Sequence, residues 1–222
     1  PAPKNSCKAP HLRLLNSLSW DRNDPIVLEG IDDTLVPEAE GVLTQRVRNI
    51  QGQGRLILGG VTIPALGMTS LPLVRRTTKS AARSAFTVTP GRIETPFADL
   101  TFQKDGRIAS YVDKTSGRDL VRRGGSLFNT FWFGEDVPAV WDDWDIDSDQ
   151  RLKLSIAGGL ISRQMVADGP LQLRIRSVYR LSRTSSITQD LVCHATTPRL
   201  DFETLVTWNE QHKLLKVGFD VD

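Results

Sequence analysis

Two cysteines and three histidines in 222 residues leave little material for a metal centre or a disulfide framework. Cys7 and Cys193 stand far apart and form no C-x-x-C, so they make no dithiol redox motif and at most one bridge. They do not fix a compartment, although a cytoplasmic setting reads better than a secreted one. Charge of one sign is also missing: 28 basic against 26 acidic residues give +2, too balanced to predict nucleic acid or an anionic membrane as partner. The longest apolar stretch, around Leu56 to Leu66, is broken by Gly59, Gly60 and Pro64 and falls far short of the roughly 20 residues of a membrane-spanning helix. No G-x-S-x-G, P-loop or G-x-G-x-x-G is present. The opening PAPKNSCKAP has neither an initiator Met nor an apolar h-region, and it reads as a cut end.

Helical periodicity is nearly absent too. What recurs instead is alternation in short runs rich in Val, Ile, Leu, Thr and Phe, punctuated by Gly, Pro and Asp, which predicts an all-β protein. Five runs, His11 to Leu15, Pro25 to Glu29, Leu43 to Asn49, Arg55 to Ile63 and Thr69 to Arg75, predict a small β-sandwich over residues 1–75. The basic, weakly apolar RRTTKSAARS that follows predicts a linker over 76–85. Beyond it, residues 86–222 read as a larger antiparallel sandwich, truncated at its C-terminal end because KLLKVGFDVD stops within a strand pattern. Its strands are expected at Ala85 to Pro90, at Ile93 and at Leu100 to Phe102. Six more are expected at Ser126 to Phe133, Leu152 to Ile156, Leu160 to Ala167, Leu171 to Leu181, Ile187 to Cys193 and Leu200 to Val206. Asp105-Gly106 between LTFQ and RIASYV is the strongest hairpin signal in the chain.

Two constellations carry candidate chemistry. Gly134 to Asp149, GEDVPAVWDDWDIDSD, holds seven acids, two tryptophans and no base. An EF-hand register fails at both starting points, because Gln150 or Ser148 replaces the required Gly and Ile156 or Leu154 the bidentate Glu. A sugar fits better, since indole faces stack on the C–H side of a pyranose while carboxylates accept from its hydroxyls. The plainer reading is a solvated loop whose acids bind backbone N–H groups and arginines. In the second constellation, Trp208, Glu210 and His212 would line one face of a strand, with Glu210 orienting His212 as a base or ligand. One His and one Glu do not make a zinc site, and a local ion pair is the more economical role. Apolar parity changes after Trp208, which predicts a bulge near Leu214.

Four ordered motifs resemble the C-terminal region of α-mannosidases of glycoside hydrolase family 38. Leu15 to Trp20, LNSLSW, is similar to its N-x-L-S-W opening. Asp105 to Ile108, with Asp113-Lys114 and Gly117-Arg118, follows its turn pattern. Asn129 to Pro138, with Trp141 to Ile146, resembles its aromatic, D-x-P and WDAWD signature, and Trp208 to Val217 its W-x-E-x-H-K-x-L-K run. Asp143 departs from the usual Ala. The resemblance implies an immunoglobulin-like sandwich followed by part of a mutarotase-like super-sandwich. It also implies a retaining α-mannosidase as parent, whose zinc, nucleophile and acid/base residue belong to a catalytic barrel outside this chain. Because no H-x-D occurs here, no cofactor, metal or catalytic residue is expected in the chain, which alone should be inactive. Trp141, Asp142, Trp144, Asp145 and Asp147 become candidate contacts to substrate or to the barrel, while Trp208, Glu210 and His212 become mainly structural. The implied partners are mannose-containing glycans and the barrel of the same polypeptide. An open edge at Leu214 to Val221 adds the expectation of a homo-oligomer. A free carbohydrate-binding module and a purely structural domain are the alternative readings.

Overall fold

The computed structural model describes residues 10–76, 82–141, 144 and 146–222. The first six strands are β1 (His11–Leu15), β2 (Ile26–Glu29), β3 (Leu35–Pro37), β4 (Leu43–Arg48), β5 (Gly54–Gly59) and β6 (Met68–Arg75). They form two antiparallel sheets, β1-β6-β3 and β2-β5-β4. Leu14 and Leu71 from one sheet meet Leu56 and Leu58 from the other. The continuous apolar run Leu56-Ile57-Leu58 follows from burial on both faces of β5, because Ile57 points away from this core toward Leu171. The strand expected as far as Ile63 stops at Gly59: Gly60 adopts φ +78° and lies so close to the Gly41 carbonyl that a Cβ would sit 2.3 Å from its oxygen. Strand β3 was not anticipated, since three residues are too few to show a period.

Strands β7 (Thr87–Thr89), β8 (Arg92–Glu94), β9 (Ala98–Phe102) and β10 (Ile108–Asp113) make a sheet in the order β10-β9-β8-β7. The Asp-Gly hairpin forms as expected: Gly106 takes φ +86°, and the Gln103 N–H bonds the Arg107 carbonyl at 2.9 Å. Next come β11 (Thr130–Glu135), a helical turn α1 (Gln150–Lys153), β12 (Leu154–Ala157) and four long strands, β13 (Gly159–Ala167), β14 (Gln172–Arg180), β15 (Ser186–His194) and β16 (Leu200–Thr207). The four pair in sequence order as an antiparallel meander, and β17 (Lys213–Gly218) returns to pair with β11, giving a third small sheet β12-β11-β17. Leu152, expected in a strand, sits in α1.

The meander β13–β16 is covered on both faces. On one face its odd-numbered residues form two apolar clusters: Leu173, Ile175, Leu191 and Cys193 pack under β7–β10, and Tyr179 and Ile187 under β11. The opposite face is polar yet buried, because the small sandwich lies against it. There Gln45 accepts from the N–H groups of Leu171 and Gln172 at 2.9 and 2.8 Å and donates to the Gln172 carbonyl at 2.8 Å. Arg55 pairs with Glu203 at 2.9 Å, and Arg176 donates to the Asn49 carbonyl at 3.3 Å. Arg174 contacts both Asp190 and Glu203 with almost no exposure of its own.

Candidate functional site

The loop from Asp136 to Asp149 leaves the end of β11 and is anchored at both ends. Gln150, buried at the start of α1, donates to the Glu135 carbonyl at 2.8 Å, and the Asp136 N–H bonds the His212 carbonyl at 2.8 Å. Within it, Asp147 accepts from the Ala139 N–H at 3.1 Å, the local bracket that a carboxylate in a turn provides. The Trp144 N–H reaches the Trp141 carbonyl at 2.9 Å, with Trp141 itself at φ +59°. Lys153 closes on Asp149 at 3.2 Å.

This framework directs apolar side chains outward. Trp141 is 73% exposed and Trp144 89%, and Val137 and Val140 in the same loop and Leu152 in α1 are exposed as well. Two indoles held in solvent on an anchored loop offer flat apolar faces to a sugar ring or to another protein surface. The structure brings Trp141, Trp144 and Asp147 into one loop, with Asp147 partly occupied by Ala139. Asp142 and Asp145 lie outside the described residues, so their contacts are not part of the site geometry.

The expectation for Trp208, Glu210 and His212 is corrected. They do not share a strand face: β16 ends at Thr207 and β17 begins at Lys213, so all three lie in the connection. The reason is topological, because β16 belongs to the meander and β17 to the sheet with β11, and the chain must cross between sheets here. His212 adopts φ +51° in that crossing, and the same crossing, rather than a bulge, produces the change in apolar parity. Glu210 is committed to the turn between β14 and β15, where it accepts from the hydroxyls of Ser182, Ser185 and Thr184. Those hydrogen bonds, from Ser182 first and then Ser185, hold its carboxyl below the usual glutamate range. Trp208 packs edge-on against Phe133 at 5.9 Å. The group therefore fastens β16 to the hairpin it leaves.

The polar cluster around Arg174, Asp190 and Glu203 was not anticipated. Its only trace in the sequence is alternation, with Gln172, Arg174 and Arg176 on one side of β14, and that pattern ordinarily marks a solvent face. Among the described residues no group of three or more His, Cys, Asp or Glu side chains is placed to hold a metal ion.

Comparison with known proteins gives a consistent picture. The family described as glycosyl hydrolases family 38, C-terminal domain, matches residues 93–222. Alpha-mannosidase G of Dictyostelium discoideum is 34% identical over 129 residues, covering 56% of this chain and 12% of that protein. Human alpha-mannosidase 2C1 is 32% identical over 115 residues, covering 51% and 11%. The chain thus spans a small part of the curated relatives it matches. A solved structure of a glycosyl hydrolase family 38 protein from Enterococcus faecalis aligns with a TM-score of 0.51 at 13% identity, over 88% of this chain and 27% of that one. That likeness concerns the fold, and it extends through both sandwiches.

Proposed function

Since the chain belongs to glycosyl hydrolase family 38 and carries its C-terminal domain, we propose that it is the non-catalytic β-sandwich portion of a retaining α-mannosidase acting on terminal α-D-mannosides. The parent's zinc, nucleophile and acid/base residue belong, in this reading, to a barrel elsewhere in the polypeptide. The donor chemistry here does not fit the metal. His194 is engaged by Asp201 at 2.8 Å and by Gln172, Asp201 is also held by Arg199, and His11 and His212 stand on a separate strand and in a separate crossing. No chemical step is therefore assigned to this chain.

The observation that carries the proposal is the outward display of Trp141 and Trp144 from a loop anchored through Gln150 and Asp136. Its role is to meet the catalytic barrel and to rim the sugar site formed there. Internal packing would bury the indoles, and a loop with no partner would gain nothing from exposing them.

Trp144→Ala tests this in two settings. In the full-length enzyme kcat/KM should fall, while the melting temperature of the 222-residue chain should hardly move, because an indole this exposed contributes little to the isolated fold. Loss of several kcal/mol from the isolated chain, of the size seen when core aromatics are truncated, would defeat the reading. Titrating the isolated chain with mannobiose and following tryptophan fluorescence separates the module alternative. Saturable binding by the chain alone favours a free carbohydrate-binding module, and silence favours a surface completed by the barrel.

A further inference from the structure

The face of the meander that carries the apolar clusters is interrupted by one polar rung. Arg163, Ser177, Gln189 and Thr204 are directly opposite one another across β13, β14, β15 and β16, so their side chains project on the same side. The neighbouring rungs are apolar: Ile175, Leu191 and Phe202 on one side lie under β7–β10, and Tyr179 and Ile187 on the other lie under β11. The polar rung thus runs along the seam where the two covering sheets meet. Into that seam Asn129, just before β11 and held at φ +59°, inserts a side chain that is only 4% exposed. Its Nδ2 donates to Gln189 Oε1 at 2.7 Å, and Gln189 Nε2 donates to Thr204 Oγ1 at 3.0 Å.

Two groups at this rung are left unfinished. Asn129 Oδ1 is buried with no hydrogen-bond partner among the described residues. The Arg163 guanidinium lies 3.8 Å from the centroid of Phe102, and among the described residues no carboxylate acts on it. Burial works against its charge. Both side chains line one cavity of about 10 Å³, together with Gly106, Ser177 and Tyr179. That is the room one water molecule requires.

We propose that this cavity is a binding site for a single structural water, which donates to Asn129 Oδ1 and accepts from the Arg163 guanidinium. An unpaired buried carbonyl and a guanidinium partly withdrawn from water both carry a cost, so a molecule that both donates and accepts answers the two at once. A halide of similar size answers only the arginine. It would face the lone pairs of Asn129 Oδ1 unless both amides of the Asn129–Gln189–Thr204 relay were reversed. The water joins β13 to the segment that leads into β11 and closes the seam between the two covering sheets. Gly106 belongs to the site for a steric reason: a Cβ there would come within 2.8 Å of the Tyr179 hydroxyl that lines the same space.

The test uses crystals of the 222-residue chain grown in bromide. The expected result is one peak at hydrogen-bonding distance from Asn129 Oδ1 and an Arg163 nitrogen, with no anomalous signal. An anomalous bromide peak would overturn the proposal in favour of an anion site, and an empty cavity would overturn it outright. Arg163→Met keeps an apolar stem against Phe102 while removing every donor. Magnetic relaxation dispersion should then count one long-lived internal water fewer than in the parent chain, and an unchanged count would also overturn the proposal.

Discussion

Arg174 and Asp190 face each other at 3.2 Å with side chains 2% and 0% exposed, in the layer where the small sandwich lies on the meander. Asp190 also holds Arg176 at 2.7 Å, and Arg174 also holds Glu203, while Arg174 Nε has no partner of its own among the described residues. A carboxylate shared by two guanidinium groups is hard to remove alone. Asp190→Ala strands a buried cation and should cost about 3–5 kcal/mol in denaturant unfolding. The paired change Arg174→Met with Asp190→Leu should cost distinctly less than Asp190→Ala, because no uncompensated charge remains. Equal losses would show that the charges contribute through something other than their mutual pairing.

Gln45 gives a second test of the same layer. Its amide satisfies the N–H groups of Leu171 and Gln172 and the Gln172 carbonyl at the entry to β14, 126 and 127 residues away in sequence. Gln45→Ala leaves those groups buried without partners, at about 1–3 kcal/mol each where water cannot replace them. The expected signature is a biphasic urea curve in which the small sandwich unfolds first. A single transition with an unchanged midpoint would mean that water takes over the amide's role.

Acid sensitivity should trace in part to Asp119. Burial pushes its carboxyl up, but hydrogen bonds from Ser110 Oγ at 2.7 Å, the Tyr111 N–H at 2.9 Å and the Val121 N–H at 3.1 Å outweigh that and leave it below the usual aspartate range. A folded-state value below the unfolded one adds stability above the unfolded pKa of about 3.9, and the gain is lost as pH falls through the folded value. Asp119→Asn should therefore lower stability at neutral pH and flatten its decline below about pH 4. Parallel acid-unfolding curves for the two proteins would count against this account.

The boundary proposed at residues 76–85 predicts where a protease acts first. This stretch contains Arg76, Lys79 and Arg83 with few apolar residues to bury. Brief trypsin treatment should cut there before it cuts within the strands, giving two fragments by mass spectrometry. Early cleavage inside β13–β16 with this stretch intact would argue against the boundary.

Most of the strand inventory was legible because alternation is a local property. The Asp105-Gly106 turn, β1 and β13 lie where period and turn chemistry put them. What local pattern does not reveal shares one physical cause, which is dependence on partners distant in sequence. Trp208 to His212 looks like continuous strand because nothing local reveals that the next strand joins another sheet. Arg174 and Arg176 look solvated because the residues that cover them, Asn49 and Arg55 among others, come from the small sandwich. Within the acidic loop, composition showed that Trp141 and Trp144 were unusual. Only the backbone brackets at Asp147 and Gln150 reveal that the rings point outward.

The meander also constrains the order in which the molecule can assemble. Its strands pair with their immediate neighbours in sequence through short connections, so each pairing closes a small loop at low entropic cost. By contrast, the β11–β17 pairing and the Gln45 bracket bring together segments remote in the chain, 127 residues in the second case. Contacts of that span are the slow ones. During synthesis the small sandwich emerges before β14 exists, leaving Val47 and Ile57 without their eventual cover, Leu171. The meander is then the template on which both remaining parts are completed, and the small sandwich must wait for it.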